Sequence, residues 1–234
     1  MLDNQLYNRQ RAIGLEIPNS VTIAGTGGVG AWVALSLAAT GVPNLYLFDP
    51  DILEVSNLAR LPFCISSIGK PKVEVVRDFI SAIRPDCVVV AVQDKLEGII
   101  LDIQLCVSNV IVDCTDSVKS QIKIFKACRE RGVRYVRAGY NINHITVTGV
   151  ISGFVRGEEE ETYAEDPSWI APPLVIAGEV LYKIMKSPDH EVSLDLGEIG
   201  IPVKKKTSRL TARCNQEGRT TRRNQEGRTT RRRS

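Results

Sequence analysis

Short apolar runs alternate with segments of helical spacing over the first half of the chain. The runs at residues 21–24, 45–48, 87–92 and 110–114 predict buried strands, because they are continuous and rich in residues that favour extended backbone. Apolar positions at helical spacing predict helices over residues 1–17, 31–40, 71–83, 96–107 and 117–131. Strands that alternate with helices in this way indicate a parallel, doubly wound sheet.

The pattern changes after Gly132. Residues 134–138 and 145–151 read as two strands joined by a turn at 140–143, with no helix between them. Such strands are expected to run antiparallel, as in the later part of a mixed sheet. An acidic loop at 158–161, a helix over 174–185 and a final strand pair over 192–203 are predicted beyond them. The predicted fold class is therefore α/β, with a Rossmann-like mixed sheet that is parallel in its first half.

Charge divides the chain into two parts. Residues 203–234 carry twelve basic residues against two acidic ones, whereas residues 1–202 carry eighteen basic and twenty-five acidic ones. The basic segment contains NQEGRTTRR twice, at 215–223 and 224–232, without an apolar residue. Because such a segment cannot bury apolar surface, the sequence predicts one folded domain over 1–202 and a disordered low-complexity tail over 203–234. A dispensable duplication is favoured over an arm that binds nucleic acid.

Composition argues against several classes of protein. The chain has 234 residues, 43% of them hydrophobic, so a substantial core is expected. No apolar run approaches the roughly 18 residues of a membrane span, and no signal peptide is recognisable at the start. The six cysteines include no CxxC pair, so neither a zinc site nor a disulfide framework is expected. These features predict a cytoplasmic protein with reduced thiols.

A glycine cluster lies between the first predicted strand and the first predicted helix of the sheet. Gly25 and Gly27 allow a tight turn that a phosphate or ribose can approach closely, and Gly30 lets the helix pack near the strand. The helix start at Gly28 offers free N–H groups to an anion. Asp49 ends the next strand, where a carboxylate can accept hydrogen bonds from ribose hydroxyls. The order of strand, glycine turn, helix, strand and acid predicts a nucleotide-binding βαβ unit.

Polar residues that follow Asp49 point to a triphosphate. Asp51, Asn57, Arg60 and Lys72 come at short range after this acid, and a dehydrogenase has no need of them near its ribose. A triphosphate does need such groups, because arginine offers a forked set of donors and lysine a mobile charge. Each of these cations could also be an ordinary solvated surface charge.

Two acids follow the strand predicted at 110–114. Asp113 and Asp116 are expected at the carboxyl edge of the sheet, where ligands of this fold bind. The carboxylate of Asp116 is suited to hold Mg²⁺ on phosphate oxygens. Alternatively, Asp116 caps the helix predicted over 117–131, and Asp113 is structural.

These motifs together resemble those of the ThiF/MoeB/HesA family, the bacterial relatives of ubiquitin-activating enzymes. The matching segments are YNRQ at 7–10, GTGGVG at 25–30, DPD at 49–51, SNLAR at 56–60, IGKPKVE at 68–74, DCTD at 113–116 and the helix after APPL at 171–185. The resemblance implies ATP-dependent adenylation of the C-terminal carboxylate of a ubiquitin-like or sulfur-carrier protein, with Mg²⁺. It also implies a homodimer.

The resemblance assigns a role to each matching residue. Gly27 and Asp49 would hold the adenosine and its ribose, with Asp51 and the other glycines of the turn beside them. The phosphates would be contacted by Ser56, Asn57, Arg60 and Lys72, the magnesium ion by Asp116, and the nucleotide by Ser117. Arg9 would reach across the dimer to the γ-phosphate. The catalytic residues would be Arg9, Arg60, Lys72 and Asp116.

The chain departs from the family pattern at several places. It lacks the two CxxC pairs that hold zinc in many members, so no zinc is expected. Residues 154–173 contain no cysteine, so a thioester step there is not expected. Leu61 and Ser117 stand where glutamine and asparagine are common.

Three alternatives remain open from the sequence. One is an oxidoreductase that binds NAD through the same glycine turn, although no Tyr/Lys or His/Asp set for hydride transfer is recognisable. Another is a pseudoenzyme or adaptor that binds a nucleotide or a partner without catalysis. A third is a relative that modifies tRNA and adenylates a small-molecule carboxylate.

Overall fold

The apolar runs form one seven-stranded sheet in the computed structural model, which describes residues 6–151 and 168–197. The strands are β1 (Ser20–Ala24), β2 (Asn44–Phe48), β3 (Val88–Val92), β4 (Val110–Asp113), β5 (Arg134–Asn141), β6 (His144–Thr148) and β7 (Val192–Asp195). Their spatial order is β3-β2-β1-β4-β5-β6-β7. The first five pair in parallel, and β6 and β7 are antiparallel to their neighbours. The prediction of a mixed α/β sheet with a parallel first half is confirmed.

Helices cover both faces of this sheet. They are α1 (Asn8–Arg11), α2 (Gly28–Thr40), α3 (Lys72–Ile83), α4 (Gly98–Val107), α5 (Val118–Arg131) and α6 (Ala171–Met185). α2, α3 and α6 share one hydrophobic cluster, and α4 and α5 share the cluster on the opposite face. Two 3₁₀ helices, Val55–Ala59 and Ile65–Ser67, lie between β2 and α3 and are not anticipated by the sequence pattern. Within the described ranges, the helices are too short or too polar to cross a membrane.

The central position of β1 determines where a ligand can bind. All five residues of β1 are buried, because β2 and β4 flank the strand and helices cover both faces. From β1 the chain adds β2 and β3 on one side of the sheet, and then crosses back to add β4 on the other side of β1. The direction in which strands are added therefore reverses at β1. In doubly wound sheets, such a reversal opens a crevice at the carboxyl ends of the strands. The loops after β1, β2 and β4 all meet at this crevice.

The structure corrects the bounds of two predicted elements. Of the helix expected over 1–17, residues 1–5 lie outside the described residues, and the helical part that is described ends at Arg11, before Gly14 adopts a left-handed φ of +61° and the chain runs on into β1 without helix. β6 ends at Thr148 rather than at 151, where the Thr148 hydroxyl accepts a hydrogen bond from the Val150 N–H. Of the expected last pair of strands, β7 is present and pairs with β6. The acidic loop at 158–161, residues 198–203 and the basic tail lie outside the described residues.

A buried lysine ties α6 to the antiparallel end of the sheet. The Lys183 side chain is 3% exposed, and its Nζ donates to the carbonyls of Pro188 and His190, each at 2.7 Å, and to Glu191 Oε1 at 2.9 Å. Glu191 Oε1 also accepts from the Gly149 N–H. Desolvation alone would raise the pKa of Glu191, but hydrogen bonds from its neighbours lower it below its ordinary value. The network therefore holds the end of α6 against the loop that follows β6.

Replacing Lys183 should weaken the fold. We expect Lys183→Met to lower the free energy of unfolding by about 2 kcal/mol, because a buried charged donor is removed from three acceptors. Urea unfolding followed by circular dichroism measures the loss. Lys123→Met is the matched control, since Lys123 lies 3.8 Å from Glu97 and both side chains are more than half exposed. Equal losses in the two variants would contradict this role for Lys183.

Candidate nucleotide-binding site

The turn between β1 and α2 depends on two glycines. Gly25 has a φ of +84°, a left-handed conformation, and its N–H donates to the Phe48 carbonyl at 2.7 Å. A Cβ on Gly30 would lie 1.8 Å from the Gly25 carbonyl oxygen, so only glycine lets α2 pack this closely on the turn. A Cβ on Gly27 would meet nothing within 4 Å. The open side of the turn therefore faces the start of α2, where the first N–H groups of a helix have no intrahelical partners.

Asp49 holds this turn to the end of β2. Its carboxylate is 5% exposed, and Oδ2 accepts from the Thr26 N–H at 2.6 Å and from the Thr26 hydroxyl at 3.3 Å. Oδ1 accepts from the Asp51 N–H at 2.9 Å. The predicted contact with a ribose stays a prediction, and the contact with Thr26 is one that sequence reasoning missed. Thr26 and Asp49 are 23 positions apart, so the sequence around Thr26 does not indicate that the two residues are bonded.

Lys72 is connected to the same turn through Asp51. Its Nζ donates to Asp51 Oδ2 at 2.8 Å, and the Lys72 side chain is 12% exposed whereas that of Asp51 is 64% exposed. The Asp51 N–H is in turn bonded to Asp49, and Asp49 is bonded to Thr26, so three hydrogen bonds connect the lysine to the glycine turn. Lys72 is also the first residue of α3, where the helix dipole disfavours a cation. Asp51 offsets this unfavourable position.

Arg60 lies directly over the start of α2. A Cβ on Gly28 would lie 3.0 Å from Arg60 Cδ and 3.2 Å from Nε, so the arginine stem contacts the glycine. The Arg60 carbonyl accepts a hydrogen bond from Trp32 Nε1 at 2.8 Å, and its Nη1 donates to the Ser56 carbonyl at 3.3 Å. Trp32, which sequence reasoning missed, fixes the backbone from which Arg60 extends. The guanidinium is thus held beside the helix start that attracts anions.

Asn57 and Ser56 lie on the 3₁₀ helix that precedes Arg60. Asn57 is buried, and its Oδ1 accepts from the Glu54 N–H at 3.1 Å, which closes a capping box at the start of this helix. Ser56 is exposed. Asn57 therefore shapes the turn that carries Arg60, and the predicted phosphate contacts of Asn57 and Ser56 stay predictions.

The loop between β4 and α5 brings Asp116 to the same edge. The Cys114 N–H donates to the Ala24 carbonyl at 2.8 Å, and a Cβ on Gly25 would lie 3.0 Å from the Cys114 carbonyl oxygen. Asp116 itself is exposed. Ser117 is the N-cap of α5, because its Oγ accepts from the Ser120 N–H at 3.3 Å. The alternative that Asp116 caps this helix is therefore wrong, and its carboxylate is available for other contacts.

The donor set fits a magnesium ion bound together with phosphates. Within residues 6–151 and 168–197, no group of three or more His, Cys, Asp or Glu side chains converges on one point. A cation at Asp116 would therefore take most of its ligands from phosphate oxygens and water. Mg²⁺ suits this arrangement, because it is commonly held by one or two carboxylates plus substrate phosphates.

Arg9 lies at the opposite edge of the sheet. It is exposed on α1, and the nearby Tyr7 ring contacts Gly41, the residue that follows α2. The thirteen residues of α2 span about 20 Å, so Gly41 lies that far from Gly28 along the helix. The chain therefore does not bring its own Arg9 together with Arg60, and the role predicted for Arg9 needs a second chain. A cavity of about 370 Å³ at this edge is lined by Tyr7, Gln10, Gly14, Leu15, Ile17 and Gly41.

The loops that carry the glycine turn, Arg60, Lys72 and Asp116 all leave the carboxyl edge of a doubly wound α/β sheet, which is where proteins of this fold bind their ligands. The chain belongs to the ThiF family, whose sequence model matches residues 17–170. This match includes the glycine turn, Arg60, Lys72 and Asp116, and it leaves out Arg9. The family resemblance inferred from the sequence motifs is confirmed.

Relatives carry names that describe related activities. Over 129 residues the chain is 35% identical to the sulfur carrier protein ThiS adenylyltransferase of Escherichia coli (strain K12), covering 55% of this chain and 50% of that protein. Over 179 residues it is 31% identical to the ubiquitin-like modifier-activating enzyme 5 of Drosophila mojavensis, covering 71% and 43%. The crystal structure of the E. coli tRNA N6-threonylcarbamoyladenosine dehydratase with AMP aligns at a TM-score of 0.51 and 29% identity, covering 53% and 52%. The chain spans about half the length of the curated relatives it matches.

Two glycines of the turn should differ in what they tolerate. We expect Gly30→Ala to lower the free energy of unfolding by about 3 kcal/mol or to prevent folding, because the new methyl group would overlap the Gly25 carbonyl. Gly27→Ala should cost less than about 1 kcal/mol, since its φ of −70° suits alanine and the space beside it is open. Thermal unfolding of both variants measures the difference. A Gly30→Ala variant as stable as Gly27→Ala would show that α2 does not pack on the turn as described.

Proposed function

We propose that the chain is an ATP-dependent adenylyltransferase that acts on the C-terminal carboxylate of a ubiquitin-like or sulfur-carrier protein. The observation that carries the proposal is that Arg60 contacts Gly28 of the glycine turn, the loop of Asp116 contacts Gly25 of the same turn, and Lys72 is bonded to Asp51, whose N–H is bonded to Asp49. The family supports adenylation of such carriers in general terms. The products of the proposed reaction are an acyl-adenylate and pyrophosphate.

The chemistry requires positive charge more than it requires a base. The attacking carboxylate is already ionised near pH 7, so no side chain has to remove a proton from it. Attack on the α-phosphorus brings two anions together, and pyrophosphate leaves with additional charge. Arg60 at the start of α2 and Lys72 at the start of α3 would offset this repulsion and hold the triphosphate in line. A Mg²⁺ ion on Asp116 would supply further charge to the phosphate oxygens.

The names of the relatives support the proposed partner. One relative is named as an adenylyltransferase of a sulfur carrier protein, and another as an activating enzyme of a ubiquitin-like modifier. A third was crystallised with AMP, which supports an adenine nucleotide as the cofactor. We further propose a homodimer, because the role predicted for Arg9 requires it to reach the triphosphate bound by a second copy of the chain. A cytoplasmic location and the absence of zinc stay predictions.

The alternatives make different predictions for the same assays. An NAD-dependent oxidoreductase, which the family does not favour, would be protected against thermal unfolding by a nicotinamide cofactor without Mg²⁺. A pseudoenzyme would bind ATP saturably and give no pyrophosphate exchange with any carrier. Exchange that depends on a small-molecule carboxylate and not on a carrier protein would favour the relative that modifies tRNA.

Exchange of radioactive pyrophosphate into ATP tests the proposal directly. With a small ubiquitin-like carrier protein that ends in Gly-Gly, we expect Asp116→Ala and Arg60→Ala to lower the exchange rate by about 10²-fold or more, because each removes charge that stabilises the transition state. Asp102→Ala and Arg129→Ala are matched controls, since these residues are exposed on α4 and near the end of α5. Exchange that is unchanged in either site variant would refute the assignment.

A further inference from the structure

A buried acid near the site is not used by the proposed chemistry. Asp113, the last residue of β4, is 0% exposed. Its Oδ1 accepts from the Thr115 N–H at 3.0 Å and from the Thr115 hydroxyl at 2.7 Å, and its Oδ2 accepts from the Tyr135 hydroxyl at 3.0 Å. All the described contacts of this carboxylate are therefore inside the protein, and it cannot meet a ligand directly without breaking them.

These hydrogen bonds fix the loop that carries Asp116. Cys114 is bonded to β1 through its N–H, and Thr115 is held by Asp113 on one side and by Gln121, which donates to the Thr115 carbonyl, on the other. Ser117 caps α5. Asp116 is the charged residue of this loop, and its side chain is exposed. The loop thus has a fixed path and one exposed carboxylate.

Tyr135 supports this arrangement from the neighbouring strand. It lies on β5, where its ring packs edge-to-face against Phe125 of α5 with centroids 5.3 Å apart. Burial and the nearby Asp113 raise the pKa of Tyr135, so its hydroxyl stays protonated and remains a donor. Burial also raises the pKa of Asp113, and hydrogen bonds from Thr115 and Tyr135 and the charge of Arg137 oppose this rise. The tyrosine thus joins the loop before α5 to the packed helix itself.

We propose that Tyr135 and Asp113 form a positioning pair that holds the loop 114–117 so that Asp116 faces the metal ion of a bound metal–triphosphate. Tyr135 lies outside every segment that carries the family resemblance, so this role does not follow from the motifs. The inference rests on the proposed nucleotide site. It assigns to Tyr135 an effect on the metal ion, whereas a merely structural tyrosine would affect stability alone. Groups that orient a metal ligand typically change metal affinity when they are removed.

Binding of Mn²⁺ in the presence of ATP, followed by electron paramagnetic resonance on the full chain, tests this pair without any need for catalysis. We expect Tyr135→Phe, which keeps the ring and loses the hydroxyl, to weaken Mn²⁺ binding by roughly tenfold. The affinity for ATP measured without a metal ion should change by less than about twofold, because the glycine turn, Arg60 and Lys72 are untouched. Tyr135→Phe should therefore lower the affinity for the metal ion and leave the affinity for the nucleotide nearly unchanged.

A second variant tests whether the two residues act together. Asp113→Asn should also weaken Mn²⁺ binding, and adding Tyr135→Phe to it should cause a further loss of less than about twofold, since the two residues share one hydrogen bond. Additive losses in the double variant would overturn the idea of a pair.

Thr22→Val is the matched control for the loss of a buried hydroxyl. Thr22 is 0% exposed on β1, and its hydroxyl donates to Gln104 Oε1 at 2.8 Å, away from the loop of Asp116. This variant should lose stability and keep the wild-type affinity for Mn²⁺. Equal Mn²⁺ affinity in Tyr135→Phe and wild type, or an equal decrease in Thr22→Val, would overturn the inference.

The measurement also separates this inference from the proposed function. A wild-type protein that binds Mn²⁺ with ATP but gives no pyrophosphate exchange would contradict the adenylyltransferase and leave the positioning pair standing if Tyr135→Phe behaves as expected. A wild-type protein whose ATP binding does not involve a metal ion would contradict both. Normal exchange with unchanged metal affinity in Tyr135→Phe would contradict the pair alone.

Discussion

The buried carboxylate of Asp49 is the contact on which the rest of the site depends. It accepts hydrogen bonds from the Thr26 N–H in the glycine turn and from the Asp51 N–H after β2, so it joins the two loops that border the crevice. Hydrogen bonds to a charged acceptor are stronger than neutral ones, and breaking them in a buried place leaves an unsatisfied charge. Because Asp51 also binds Lys72, this single acid sets the position of the turn and, one step further, of a cation.

β4, on the other side of β1, is also followed by a loop that a buried aspartate holds in place. β4 ends in Asp113 much as β2 is followed by Asp49, and in both cases Oδ1 accepts the N–H of the residue two positions later. Each buried acid turns the chain sharply and is followed by a second, exposed acid, Asp51 in one loop and Asp116 in the other. The buried member of each pair organises the loop, and the exposed member is left for a cation: the Lys72 ammonium in one case and, on our proposal, a metal ion in the other. The symmetry follows from the position of β1 between two parallel strands whose carboxyl ends open on one crevice.

Much of the fold could be predicted because its signals are local. Continuous apolar runs that end in Gly or Asp marked β1, β2 and β4, and the left-handed Gly132 ends α5 as the sequence indicated. The helix expected to run on to residue 17 ends at Arg11, because helical spacing gives no sign of the left-handed backbone of Gly14. The residues that support the site were missed because their partners are distant in the sequence. Thr26, Trp32 and Tyr135 act on partners between 22 and 28 positions away, and such pairings arise only from the packed sheet. The predicted strand order was enough to place the loops at one edge of the sheet. It was not enough to predict the side-chain hydrogen bonds that hold each loop in place.

The placement of Lys72 shows how function is balanced against stability. An ammonium at the first turn of α3 opposes the helix dipole, and its stem is nearly buried, so the position costs stability unless an anion lies close. Asp51 provides that anion, and because its carboxylate is largely exposed it does so at little desolvation cost. Arg60 shows the same logic at α2, where its stem lies on a glycine and its charge faces a helix start. A cation near the positive end of a helix dipole is unfavourable by itself, and negative charge nearby makes the position favourable. On our proposal, the triphosphate would add further negative charge beside both cations.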